Sequence, residues 1–246
     1  MWVPELTGVI DRRLLVNYRV DPEVLARVLP APFRPQLVNG VGVAGICLIR
    51  LTQMRPRGLP GFVGLSSENA AHRVAVEWDT ADGPRTGVYI PRRDSSSLVN
   101  VAVGGRAYPG VHHRADFDVA ETDDRLRVHF AARDSSATAT ADVRLCAELP
   151  PSELFGDVAA ASAFFESGCD GWSCTTSPDR YDGLRLLTSA WRVEPGAVEQ
   201  VSSSFFDDRS RFPEGSAVCD DVLVMRRVPV TWAALPDLRV PAVASF

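Results

Sequence analysis

The chain has 246 residues, of which 46% are hydrophobic and 23% charged, enough for a sizeable core in one domain spanning 1–246. Its formal net charge of −5 argues against a general nucleic-acid or anionic-membrane binder. All 26 basic residues are arginine, so no side chain can form a Schiff base with a carbonyl or act as a depressed-pKa amine; only the α-amino group of Met1 could. A genome rich in Ala, Arg, Val, Gly and Pro codons is the bland cause of this bias, and the chemical consequence holds whatever the cause.

Trp2, Pro4, Glu5 and Thr7 break any apolar leader, and no stretch reaches the ~20 apolar residues of a membrane span. A soluble cytoplasmic protein without a membrane partner is expected. Cys47, Cys146, Cys169, Cys174 and Cys219 are odd in number, which favours free thiols. His72, His112, His113 and His129 fall in no zinc-type spacing, so no metal and no cofactor is expected.

In chain order, residues 9–20 read as a strand. Asp21, Pro22 and Glu23 then open a short helix with Asp21 as cap and Val24, Leu25, Val28 and Leu29 as its apolar face. Asn39-Gly40 turns the chain into 41–54, a continuous apolar run that reads as a buried strand, with Gly42 and Gly45 allowing bending or close backbone approach. Residues 55–67 read as a long loop. Residues 71–79 alternate as a half-buried strand, and 85–93 form another. A helix cap at 94–96 precedes Leu98, Val99, Val101 and Ala102. A hairpin follows over 115–120 and 126–133, then a strand over 137–149. Pro151, Ser152 and Glu153 signal a helix through Phe164 and Phe165 to Gly168. A loop runs to Asp182-Gly183, with further strands over 184–192, 198–205 and 222–230. Most strand-to-strand links are too short for regular βαβ crossovers. The expected fold is α+β, a large, mainly antiparallel, barrel-like sheet with two or three short helices.

Two passages carry a family resemblance. One runs from Leu14 through Tyr18-Arg19 and Asp21 to Leu29-Pro30. The other joins Ser67-Glu68-Asn69 to Gly87, Tyr89 and Arg92-Arg93-Asp94. Over residues 8–236 the chain resembles the acetoacetate decarboxylase-like superfamily, and within it the YqjF-like branch of uncharacterised bacterial proteins. The resemblance implies a cone-like antiparallel β-barrel with a central cavity, often in homo-oligomers. It also implies a Schiff-base lysine just beyond the strand at 85–93; the matching stretch here, about 94–100, contains no amine. Glu68 matches the family's loop glutamate, and the family's arginine near the first strand falls by position near Arg12 or Arg13.

The candidate catalytic residues are Glu68, His72 and Arg93. Glu68 could be a general acid or base at the barrel mouth, or a solvated or ion-paired carboxylate. His72 shares a strand face with Val74, Val76 and Trp78 and could shuttle a proton with Glu68, or be a core-edge histidine. Arg93, placed by period two on one face with Tyr89, could hold a carboxylate or an enolate oxygen, or bond Asp94. Arg19, Arg50, Tyr89 and Asp94 are candidate substrate-binding residues; Arg19 and Arg50, in apolar strands, could equally be structural ion-pair members. His112-His113 reads as an exposed pair, and the serines at 202–204 lack a nucleophile elbow. The function expected is lysine-independent acid–base chemistry on a small or medium carbonyl metabolite: cyclisation, dehydration, isomerisation or hydrolysis, plausible in secondary metabolism. The alternatives are a barrel that binds a hydrophobic ligand without turnover, and an interaction module with a filled interior.

Overall fold

The computed structural model describes residues 4–106, 108–177 and 179–240. Met1, the one candidate amine, lies outside them. The elements are β1 (Leu6–Val20), α1 (Pro22–Val28), β2 (Arg34–Pro35), β3 (Leu37–Val38), β4 (Val41–Pro56), β5 (Leu65–Thr80), β6 (Gly83–Ser95), α2 (Leu98–Val103), β7 (His112–Glu121), β8 (Arg125–Ala132), β9 (Thr138–Leu145), α3 (Val158–Ser167), β10 (Asp170–Cys174), β11 (Arg180–Leu187), β12 (Glu194–Ser203) and β13 (Ala217–Arg239).

The thirteen strands form one sheet that forks twice. On one edge, β6 pairs with β5. On its other edge it runs parallel first to β10, at Val88–Ile90, and then to β7, at Arg93–Ser95. Strand β13 forks likewise: beside β1 on one edge, it takes β12 at Val222–Val224 and β11 from Thr231 to Arg239 on the other. The strands β13, β1, β4, β5 and β6 therefore form a wall common to two closed rings. The larger ring is completed by β7, β8, β9 and β12, the smaller by β10 and β11.

A wall with a chamber on each face must be apolar on both, because neither face meets water. This explains the unbroken hydrophobic run in β4, where every residue from Gly42 to Leu48 is buried, and the buried stretches 14–18, 69–76 and 221–225. One face supplies Leu14, Val16, Ile46, Val74 and Val224 to the larger core, shared with Val128 and Phe130. The other supplies Leu15, Val43, Ala71, Leu223 and Met225 to a second core, which α3 closes with Ala161 and Phe165.

Helix α1 begins where its cap predicts: the Asp21 carboxylate accepts from the amides of Glu23 and Val24 at 2.9 and 3.0 Å. Helix α3 starts later than expected. The Ser152 hydroxyl accepts from the amides of Leu154 and Phe155, and the Asp220 carboxylate accepts from that of Glu153, so 152–156 stays a local turn. Asp157 then caps α3 through Ala160. The expected loop at 55–67 is shorter, because β4 continues to Pro56 and β5 begins at Leu65. Strand β10, inside the expected loop before Asp182, is five residues long and pairs with β6 from far along the chain.

An irregularity in β6 shapes the site. Two residues of β5, His72 and Val74, oppose Arg92 and Tyr89, so β6 carries one residue more than its partner there. The extra residue lies beside Pro91, which has no N–H for the ladder. Strict period two fails across it. Tyr89 shares its face with Arg92, and Arg93 moves to the opposite chamber with Val88 and Ile90.

Candidate functional site

The residues singled out in the sequence fall into separate environments. Glu68 sits at one end of the larger ring, sixteen percent exposed, where it accepts from Arg12 and, at 2.6 Å, from Arg50 Nε. Arg12 is fully buried and also donates to Glu121, which Arg50 joins at 3.2 Å. These residues tie β1, β4 and β5 to the end of β7.

His72 is fully buried on the larger-chamber face, as its alternation with Val74, Val76 and Trp78 predicts. Four residues along a strand span roughly 13 Å, so it cannot exchange a proton directly with Glu68. Instead its Nε2 lies 3.3 Å from Ser203 Oγ, and its ring packs on Phe205. His72 lines a cavity of about 380 Å³ with Tyr89, Arg92, His113, Phe205 and Arg211. Asp94, buried beside it, accepts a bidentate pair from Arg92 at 2.7 and 2.8 Å. Arg19 is half-buried and pairs with Glu153 at 3.2 Å and Asp220 at 3.8 Å.

Burial, and then the charges of Arg92 and Arg211, push the His72 pKa down to about 3. An unfolded chain takes up a proton near pH 6.5 that the folded chain refuses. This contribution to stability is therefore complete above pH 6.5 and is lost as pH falls towards 3, at about 1.4 kcal/mol per unit. His112, lowered to about 4 chiefly by burial, acts in the same direction, whereas Asp221, raised by burial to about 6, acts oppositely below pH 6. Urea unfolding of wild type and His72→Phe at pH 7 and pH 5 isolates the term: the variant should lose less stability than wild type over that interval.

Arg93 lies in the smaller chamber, and two residues the sequence analysis did not assign, Arg73 and Cys47, lie there with it and Arg13. The cavity measures about 110 Å³ and its walls are apolar, from Ile10, Val88, Phe165, Leu184, Trp191 and Trp232. Arg13 Nη2 and Arg73 Nε each donate to Cys47 Sγ at 3.2 Å. Arg73 also donates to Asn17 Oδ1, and its guanidinium stacks on Phe165 at 4.7 Å. Arg93 Nε donates to Ser173 Oγ at 2.9 Å. Among the described residues, none of these three arginines pairs with a carboxylate; Asp221 reaches Arg73 only through Asn17, at 2.5 Å from the amide nitrogen.

Glycines make room for this charge. A Cβ at Gly45 would stand 2.3 Å from the Val16 carbonyl oxygen, the close backbone approach expected there, and 3.1 Å from Arg73 Nη2, so the glycine also leaves room for that guanidinium. Gly110, at φ +88°, would bring a Cβ to 2.8 Å from Arg93 Nε, and its amide donates to Asp182 at 3.1 Å. Only glycine suits both the left-handed backbone and the space.

The electrostatics of the chamber favour an anion. Burial lowers the pKa of Arg73 and of Arg93 by more than the neighbouring groups, Cys47 among them, restore it, the mark of cations only partly compensated for their loss of water. Burial alone would raise the Cys47 thiol, but Arg13 and Arg73 hold it below the ordinary range. The lining contains no carboxylate and no histidine among the described residues. Among the described residues, no group of three His, Cys, Asp or Glu is placed to hold a metal, and no helix is long and apolar enough to cross a membrane.

The profile of a protein family, DUF2071, described as an uncharacterized conserved protein, matches residues 9–163. The chain belongs to the DUF2071 family. A search of curated proteins by sequence finds no match. Among solved structures, the enduracididine biosynthesis enzyme MppR complexed with pyruvate superposes with a TM-score of 0.62 at 12% identity, covering 95% of this chain and 91% of that one. Acetoacetate decarboxylase from Legionella pneumophila gives 0.59 at 16% identity, with 95% and 88% covered. An acetoacetate decarboxylase-like enzyme from Sphingomonas wittichii gives 0.60 at 12%, with 97% and 93% covered. These likenesses establish that this DUF2071 member has the acetoacetate decarboxylase-like fold, in agreement with the resemblance in its sequence.

Proposed function

We propose that this protein is an enzyme that binds a small carbonyl-containing carboxylate in the smaller chamber and acts on it by acid–base chemistry without a Schiff base. The observation that carries this is the convergence of Arg13, Arg73 and Arg93 on an apolar cavity with no carboxylate among the described residues to pair them. Guanidiniums bind carboxylates in a directed, often bidentate way, and they stabilise an enolate oxygen better in a dry site than in water. Size supports a small ligand: a cavity of about 150 Å³ takes benzene, and this one, at about 110 Å³, suits about six non-hydrogen atoms. Pyruvate has that size, and a structural relative of low identity is described in complex with it.

Glu68 and His72 have no part in the proposed chemistry, because they lie on the other face of the wall; Arg93 keeps the role of carboxylate ligand. Trp191 and Trp232 line the cavity and supply the readout. Titration with pyruvate should change tryptophan fluorescence, pyruvamide should bind at least about tenfold more weakly, and borohydride should leave no pyruvate adduct on the protein. Equal affinity for acid and amide would overturn the proposal, and so would a trapped adduct, even at Met1.

A further inference from the structure

The smaller chamber needs a group that moves a proton, and its lining offers few. Arginine neither takes nor gives a proton in this pH range. The other titratable side chains against the cavity are the thiols of Cys47 and Cys169. Cys169 donates to the Glu166 carbonyl oxygen at 2.7 Å, so its sulfur carries the proton. Cys47 is the reverse case: two guanidinium N–H groups, from Arg13 and Arg73, point at its sulfur at 3.2 Å each. A sulfur that accepts from two cations is stabilised as a thiolate. Cys47 is also two percent exposed, so this thiolate faces the cavity and not bulk water.

We propose that the Cys47 thiolate is the catalytic base of the smaller chamber, and that its substrate is a 2-oxo acid with a hydrogen on the carbon beside the carbonyl. This rests on the carboxylate-binding role proposed for the chamber. In the step, Sγ takes the proton from that carbon. The C–H electron pair becomes the carbon–carbon double bond of the enolate, and the carbonyl π pair moves onto oxygen, where a guanidinium holds it. The resulting thiol returns the proton to carbon, and in D2O a deuteron takes its place. No oxidant, reductant or amine is needed, and Arg13 and Arg73 serve twice: they hold the thiolate before transfer and the negative charge after it.

Two side observations agree with this assignment. Of the five cysteines, Cys47 alone has its thiol held below the ordinary range; Cys146, Cys169, Cys174 and Cys219 are pushed above it, chiefly by burial. Gly45, two residues earlier on the same face of β4, leaves the space through which the Arg73 guanidinium crosses.

The test is exchange of the pyruvate methyl hydrogens for deuterium, followed by proton NMR in D2O with the full chain. Wild type should wash out the methyl signal. Cys47→Ala and Cys47→Ser should each slow this by about 100-fold or more while still quenching tryptophan fluorescence with pyruvate. In a second measurement, iodoacetate should alkylate Cys47 in the native protein, and pyruvate should protect it. The inference is overturned if either variant binds pyruvate and exchanges at the wild-type rate, if wild type binds pyruvate without exchange, or if iodoacetate spares Cys47 and modifies another thiol. Absence of any pyruvate binding by wild type defeats the carboxylate-binding proposal itself, and the base with it, and the fluorescence titration separates that outcome from the others.

Discussion

Replacing Arg93 by glutamine is expected to weaken pyruvate binding about 10- to 100-fold, the loss of one hydrogen-bonded charge contact. Arg93 commits only its Nε, to Ser173, and has no carboxylate partner among the described residues. Its two terminal nitrogens remain available to a ligand. The same substitution should leave the ligand-free protein at least as resistant to heat as wild type, since an unpaired cation in an apolar cavity costs stability and glutamine does not. Opposite signs for affinity and stability are the signature of a residue kept for binding. Fluorescence titration and a thermal melt on one preparation check both. Wild-type affinity in Arg93→Gln would remove it from the site.

Replacing Glu68 by alanine should do the converse: cost about 2–4 kcal/mol of unfolding free energy and leave pyruvate affinity unchanged. Arg12 lies fully buried against Glu68 and Glu121, and Arg50 shares both carboxylates. Removing one carboxylate leaves a buried guanidinium half-compensated. Urea unfolding of Glu68→Ala and Glu68→Gln, with the pyruvate titration beside it, measures both effects. A fall in affinity with intact stability would return Glu68 to the catalytic role its place in the chain suggests.

Much of the fold was legible because its physics is local. Asp21-Pro22 caps a helix wherever it occurs, and the apolar run from Val41 onward is too continuous for a half-solvated strand. The fork in the sheet was not legible. Whether β6 pairs with β7 or β10 depends on residues tens of positions away, and β10 itself carries too short a pattern to stand out. The site suffered from a single residue: the irregularity beside Pro91 turns Arg93 away from Tyr89. Arg73 offered a signal that passed unused, an arginine inside a stretch whose alternate positions are apolar, across from a glycine on β4. Cys47 offered none, since a cysteine in an apolar strand reads as core filler.

The forked sheet has one more consequence, for how this molecule comes apart. The central stretches of β1, β4 and β5 are sealed on both sides, so neither chamber can open by peeling away from a solvated backing layer. Deuterium should reach the amides of 14–18 and 42–48 only when the whole chain unfolds. The two compartments stand or melt together, and cutting the gene to isolate either one should yield no folded fragment.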